Sequence, residues 1–283
     1  INPSLIYASI SAFGDKGKMK KKPGYDRLIQ ADSGIMSLTG NEGDDPARVG
    51  VSIVDMATGM WCLIGILSAL QQRNQTGEGC KVTSSLLETG VAWTMLQMST
   101  YMASGKLPKK LGTGMATTVP YQAFKTKGDQ WAIIAAGNNR LFKNLCIALK
   151  IPELAEDPRF ESNSVRVQHR QELQQLIEEQ TVTYDVDELV DLLAEYNVPS
   201  CPINTLDRVL RDEQVNELEM IKAIEDFRVQ DFRIIDLPFR INEERGHIQA
   251  LPPLLGEHTE EVLTALNYSK EQLQQFKTKS VVG

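Results

Sequence analysis

The chain has 283 residues, of which 30 are Lys or Arg and 37 are Asp or Glu, giving a formal net charge of −7 at pH 7. That length supplies one large domain or two smaller ones with a full core, and 42% hydrophobic with 24% charged residues is ordinary for a globular protein. The acidic balance argues against a general nucleic-acid role, which needs clustered positive charge; four Cys with no CxxC pair exclude a zinc ribbon or a disulfide scaffold and fit a reducing cytoplasmic setting.

The first residue is Ile1 rather than Met, and Leu5 to Ile10 reads as a strand, so the chain reads as starting inside a domain. Nothing near it has the basic-then-apolar pattern of a signal peptide. Lys16, Lys18, Lys20, Lys21 and Lys22 form a basic loop ending at Pro23-Gly24-Tyr25-Asp26. Such a run either meets phosphates by point charge or is a solvated loop. Arg27 to Gly34 predicts a helix, Ser37 to Arg48 is turn chemistry, and the β-branched stretch Val49 to Val54 predicts extended chain. Asp55 to Gln72 predicts a helix that is apolar nearly all round, hence buried on most sides. The nearly uncharged stretch Val49 to Leu70 admits a membrane span on length alone, but Asp55 inside it would be costly, so no membrane is expected.

Lys81 to Ser84 predicts a strand, and Leu86 to Ser104 one long helix whose small residues permit close packing. Gly105 to Thr118 reads as a linker and mobile loop. Strands follow at Tyr121 to Lys125 and Gln130 to Ala136, then helices at Arg140 to Leu149, Arg166 to Gln180 and Val186 to Tyr196. Val198 to Ile203 carries two Pro and leads to a helix at Thr205 to Asp212. Val215 to Ile248 reads as strands and turns, and a helix after Thr259 and another at Ser269 to Lys277 close the chain. Helix and strand alternate throughout, an α/β or α+β class.

Asp55 is the first candidate for chemistry. It stands where an extended segment meets a helix, whose unpaired N–H groups and partial positive charge stabilise an ionised carboxylate able to act as a nucleophile. A plain N-cap Asp has the same sequence signature. Thr39-Gly40 and Thr58-Gly59 read as turns where backbone approaches something closely. Gly112-Thr-Gly114 is either a hinge of a lid or a flexible linker. No P-loop, GxSxG, dinucleotide or kinase motif is present. His169 reads as a surface residue, and His247 and His258 lack metal-ligand spacing, so no metal site is expected. Cys62 and Cys146 fall on apolar helix faces and read as core, while Cys80 and Cys201 have no base partner beside them.

Several stretches, taken in order, resemble the family III CoA-transferases, the group that includes formyl-CoA:oxalate and acetyl-CoA:oxalate CoA-transferases. They are Asn2-Pro-Ser-Leu-Ile-Tyr-Ala-Ser9, Pro23-Gly-Tyr-Asp26, Gln30 to Gly40, Arg48 to Gly59, Val119-Pro-Tyr-Gln-Ala-Phe124, Gly137-Asn-Asn-Arg-Leu-Phe142, Asp157-Pro-Arg-Phe160, Val198-Pro199 and Leu255-Gly-Glu-His-Thr259. The resemblance implies an α/β fold with a Rossmann-like large domain, its N-terminal part absent here, plus a small α+β domain. Residues 1–105 would be the large-domain remainder with the catalytic Asp, 106–204 the small domain with linkers, and 205–283 a C-terminal return to the large domain.

The implied activity moves CoA between an acyl-CoA and a small carboxylic acid, such as the dicarboxylate oxalate. Asp55 would be the nucleophile, passing through an aspartyl anhydride and an aspartyl-CoA thioester. Pro23, Gly24, Tyr25 and Asp26 would contact CoA, which is a substrate; no permanently bound cofactor and no metal is implied. A substrate loop would comprise Gly112, Gly114, Ala116, Thr117 and Thr118, the last three standing where the oxalate enzymes have glycines. The partners would be acyl-CoA, a small carboxylate and a second copy in an interlocked homodimer, with no nucleic acid and no membrane. The related 2-methylacyl-CoA racemases use a His where this chain has Tyr25, which favours transferase. A silent fragment or oligomerisation module of such an enzyme is the reading from a different class.

Overall fold

Two parallel strands, β1 (Tyr7–Ser11) and β2 (Lys81–Ser85), pair from Tyr7 opposite Lys81 to Ser11 opposite Ser85. A parallel pair needs a long crossover, and here it carries α1 (Asp26–Asp32), α2 (Ile35–Leu38) and α3 (Ile53–Thr76). The computed structural model describes residues 2–225, 228–246 and 251–282. Ile1, His247 and the end of the Val215 to Ile248 stretch lie outside the described residues. The chain divides into two units, Ile1–Ile203 and Asn204–Gly283.

The expected strand at Val49 to Val54 is absent. The segment is irregular until α3 starts at Ile53. Its β-branched residues find no partner strand; the Val49 amide donates instead to the Gln30 side chain at 2.9 Å. Local propensity yields to that tertiary bond. A small apolar core of Ile29, Ile35 and Val54, flanked by Phe13, Val49, Ile53 and Leu86, holds α1 against the start of α3.

The expectation of a buried α3 is also corrected. The helix packs on β1, β2 and α1, yet Met56, Met60 and Trp61 are 67%, 63% and 51% exposed. These elements and the helix starting at Leu86 cover only part of a helix that is apolar nearly all round. Among the described residues α3 is the helix long and apolar enough, by length and composition, to cross a membrane.

The expected long helix from Leu86 is two: α4 (Leu86–Trp93) and α5 (Met95–Ser104). The break is Thr94, at φ −89° and ψ 8°, whose hydroxyl donates to the Val91 carbonyl at 2.9 Å. A Thr hydroxyl competes in this way with the helical ladder. Close packing is present where foreseen: a Cβ on Gly90 would lie 2.6 Å from Ser33 Oγ, so only Gly lets α4 approach the end of α1.

After a connecting segment come β3 (Tyr121–Lys125), β4 (Trp131–Ala135) and β5 (Ser200–Pro202), an antiparallel sheet in that order. β5 was not foreseen. It pairs with β4 alone, and an edge strand tolerates the missing N–H of Pro202. Four helices accompany the sheet: α6 (Asn139–Ala148), α7 (Asn163–Gln168), α8 (Arg170–Thr181) and α9 (Val186–Glu195). The expected single helix at 166–180 is split between α7 and α8 at His169, which leaves helical geometry at φ −101° and ψ 23°. Alternation on β4 buries Ala132 and Ile134, and the helical period on α9 buries Val186, Leu189 and Leu193. With Phe124, Phe142, Leu145, Phe160, Leu173 and Ile177 these form the main core.

The second unit contains α10 (Leu206–Arg211), α11 (Glu213–Glu217), the antiparallel pair β6 (Ile221–Ala223) and β7 (Arg233–Ile235), then α12 (Thr259–Ala265) and α13 (Lys270–Thr278). A capping box between Ser269 and Gln272 starts α13, and its Leu273 is buried.

Candidate active site

Asp55 is the third residue of α3, not its N-cap; that position is Ser52, whose side chain makes no capping bond. The carboxylate that serves this helix end comes from a distance in sequence. Asp26 Oδ2 accepts from the Val54 amide at 2.9 Å and from the Asp55 amide at 3.3 Å. Its Oδ1 accepts from Gln30 Nε2 at 2.6 Å, and Asp26 is buried. The first turns of α3 are tied further by Thr58, which donates to the Val54 carbonyl at 2.7 Å and to Thr89 Oγ1 at 2.9 Å. Thr58-Gly59 is therefore helix interior rather than a turn.

This arrangement reverses one expectation. The helix amides do not stabilise the Asp55 carboxylate, because Asp26 has them. The Asp55 side chain is exposed and accepts no hydrogen bond among the described residues. Local burial, followed by the charge of Asp26, pushes its carboxyl above the ordinary Asp value. A basic, unpartnered carboxylate on a fixed helical turn is competent for nucleophilic attack.

Pro23 and Tyr25 are exposed, Tyr25 by 74%, and Gly24 is half-buried. A Cβ on Gly24 would lie 2.7 Å from the Ala12 Cβ, so this glycine lets the segment pass close behind β1. The five lysines from Lys16 to Lys22 are exposed on the approach to it. Asp26 is the exception in the group: both its oxygens are used inside the protein.

Gly112, Gly114, Ala116, Thr117 and Thr118 lie in a segment far better anchored than a free linker. The Gly112 amide donates to the Gly40 carbonyl at 2.8 Å, and Lys110 Nζ to the carbonyls of Asp44 and Asp45 at 3.0 Å. Thr113 Oγ1 accepts from the Ala123 amide at 2.9 Å. Arg170 Nη2 donates to the carbonyls of Met115 at 2.6 Å and Ala116 at 3.1 Å, and Asn163 Nδ2 to that of Thr117 at 2.7 Å. Asn163 Oδ1 accepts from the Val119 amide at 3.0 Å, and Arg166 Nε donates to the Val119 carbonyl at 2.8 Å. Asn163, Arg166 and Arg170 recur at i, i+3 and i+7, which sets them on one side of α7 and the start of α8. The bonds of this loop run to Gly40, Asp44, Asp45, β3 and these two helices; among the described residues no hydrogen bond joins it to Asp55. Beside it, Asn41, Thr113, Gly114, Gln122, Trp131 and Arg170 line a cavity of about 380 Å³.

Arg166, which sequence reasoning missed, is wholly buried. It donates to the Gly137 carbonyl at 2.7 Å, the Phe160 carbonyl at 2.9 Å and twice to Asn139 Oδ1 at 3.1 Å, and lies 4.6 Å over the Phe142 ring. Three separate sequence motifs thus meet on one guanidinium. The one local signal that could have found them is the i, i+3, i+7 spacing of Asn163, Arg166 and Arg170. Asp157 and Arg159 pair with each other at 2.6 Å at the surface. Cys62 and Cys146 are core residues as expected, and burial pushes the Cys146 thiol up to about 12, which leaves it unreactive. His169 is half-buried, edge-on to Phe160.

The family profile "CoA-transferase family III" matches residues 1–259. Succinyl-CoA:glutarate CoA-transferase of Mus musculus is 34% identical over 283 residues, covering 100% of this chain and 65% of the mouse protein. Acetyl-CoA:oxalate CoA-transferase of Acetobacter aceti is 36% identical over 204 residues, covering 72% of this chain and 52% of that protein. The crystal structure of a CAIB/BAIF family protein from Brucella suis has 37% identity and a TM-score of 0.82, covering 94% of this chain and 68% of that one. The chain therefore spans less than two thirds of the length of the mouse relative. It belongs to the CoA-transferase family III, and its mixed α/β fold is the fold of that family.

Proposed function

We propose that this chain transfers CoA between an acyl-CoA and a small dicarboxylic acid, with Asp55 as the nucleophile. The observation that carries the reading is the Asp55 carboxylate: exposed, raised in pKa, accepting no hydrogen bond among the described residues, and held on a turn whose amides bond to Asp26, the residue after Tyr25. The relatives named for glutarate and oxalate support a dicarboxylate as acceptor.

In the proposed sequence an Asp55 oxygen bonds to the thioester carbonyl carbon and the C–S bond breaks, releasing CoA thiolate and leaving a mixed anhydride. The thiolate then attacks the Asp55 carbonyl, giving an aspartyl-CoA thioester and the free donor acid. The acceptor carboxylate attacks that thioester, and the released thiolate attacks the new anhydride at the acceptor's carbonyl. Acyl-CoA leaves and Asp55 is restored. Splitting the exchange this way replaces one hard step by several easier ones, provided water is kept from the anhydride. Exposed Tyr25 and the Lys16 to Lys22 run offer an aromatic face and positive charge to a nucleotide-bearing thiol. A homodimer belongs to the same reading, and the exposed apolar residues of α3 support it.

Incubation with succinyl-CoA and hydroxylamine tests the assignment. Wild type should yield a trapped hydroxamate on Asp55, and Asp55→Asn none. Undiminished trapping in that variant removes Asp55 from the role, and absence of CoA binding by calorimetry favours the silent-module reading.

A further inference from the structure

Asp26 is the first residue of α1, yet its carboxylate serves another helix. Its Oδ2 holds the amides of Val54 and Asp55, its Oδ1 holds Gln30 Nε2, and Gln30 Oε1 holds the Val49 amide at 2.9 Å. Asp26 is 5% exposed and Gln30 fully buried. The amides of Val54 and Asp55 are among the first-turn donors that lack a partner within a helix. Amides of a first turn favour an acidic acceptor, and the acid of this turn is Asp55.

We propose that Asp26 is a positioning residue for the nucleophile: it fixes the first turn of α3 from outside and withholds its amide donors from the Asp55 carboxylate. This rests on reading Asp55 as the nucleophile. A carboxylate that accepts no hydrogen bond is more basic and more nucleophilic than one holding two amides. The charge of Asp26 works in the same direction, since it disfavours the anionic form of Asp55 and not the neutral anhydride or thioester. Repulsion present before attack is relieved once the acyl group is attached, and such a difference between ground and transition state accelerates a step. Among the described residues Asp26 is the charged group that acts on Asp55, and the basicity of Asp55 follows both its partial burial and that charge. The place of Asp26 beside Tyr25 is thereby explained without direct contact to CoA.

The test uses the full chain with Asp26→Asn, Asp26→Ser, Asp26→Glu and Asp55→Asn. The readouts are a ¹³C titration of the Asp55 carboxyl, which needs no turnover, and the pH dependence of hydroxylamine trapping. With Asp26→Asn the Asp55 carboxyl should titrate at lower pH than in wild type, and trapping at neutral pH should fall about tenfold. Asp26→Glu, which keeps the charge, should hold the titration near wild type. Should Asp26→Asn fail to fold, Asp26→Ser supplies the neutral variant. An unchanged Asp55 titration in a folded neutral variant overturns the inference. Full trapping by Asp55→Asn instead overturns the nucleophile assignment, and the titration still reads the coupling of the two carboxylates.

Discussion

The amide of Asp55 donates to the carboxylate of Asp26 at 3.3 Å, across 29 residues of sequence. One acid thus occupies the end of α3 and the other stands exposed on its first turn. Two carboxylates at one helix terminus divide the work: the buried one takes the amides, and the exposed one keeps its lone pairs.

A pH dependence follows. Local burial and then Asp26 raise the Asp55 carboxyl above 3.8. The acid limb of kcat/KM should accordingly lie above the pH at which an ordinary Asp titrates. Stability should move the opposite way. A raised folded value means that the charged form is disfavoured in the native state. The penalty is absent below the unfolded value and complete above the folded one. Asp55→Asn should therefore raise Tm at pH 7, and the gain should vanish in acid. Equal melting curves at pH 7 would contradict it.

Arg166 joins Gly137, Asn139, Phe160 and Val119 in the main core. Arg166→Met should leave those buried acceptors unpaired and lower stability by about 3 kcal/mol or more in urea unfolding. Arg166→Lys should not restore it, because an ammonium cannot reproduce the fork of the guanidinium. A loss below about 1 kcal/mol would show that the acceptors find other donors.

Arg170 is half-buried and holds the Met115 and Ala116 carbonyls. Arg170→Ala should cost only about 1 kcal/mol of stability. It should speed amide hydrogen exchange at 115–118 while leaving exchange in α9 unchanged. Uniform exchange rates would mean that Asn163 and Arg166 hold the loop unaided.

Gly24→Ala places a methyl 2.7 Å from the Ala12 Cβ. The backbone must shift, and with it Tyr25 and Asp26. KM for acyl-CoA should rise, with a smaller change in Tm than Arg166→Met produces. An unchanged KM would separate this segment from CoA recognition.

Some of this was legible in the residues alone. The strands β3 and β4 and the helices α6 and α9 stand where the residues predict them, and apolar neighbours put Cys62 and Cys146 in the core. These features depend on neighbours one to four residues apart, the range over which periodicity reports burial. The resemblance carried by ordered motifs pointed to the family. It pointed to Asp55 as well, since a residue at a helix start can be placed by local pattern.

Tertiary structure decided the rest. Val49 to Ser52 is β-branched in part, yet is not a strand, because Gln30 rather than a neighbouring strand takes the Val49 amide. The α3 helix is apolar nearly all round, yet exposed, because burial depends on what packs against it. Arg166 looks like any charged residue in a polar helix until two distant segments, at Val119 and Gly137, and the nearer Phe160 bring their carbonyls to it. Above all, the sequence determined that an Asp stands at the start of a helix. Only the fold decided which Asp caps that helix and which is left basic, because the choice depends on a hydrogen bond between residues that only the folded chain brings together.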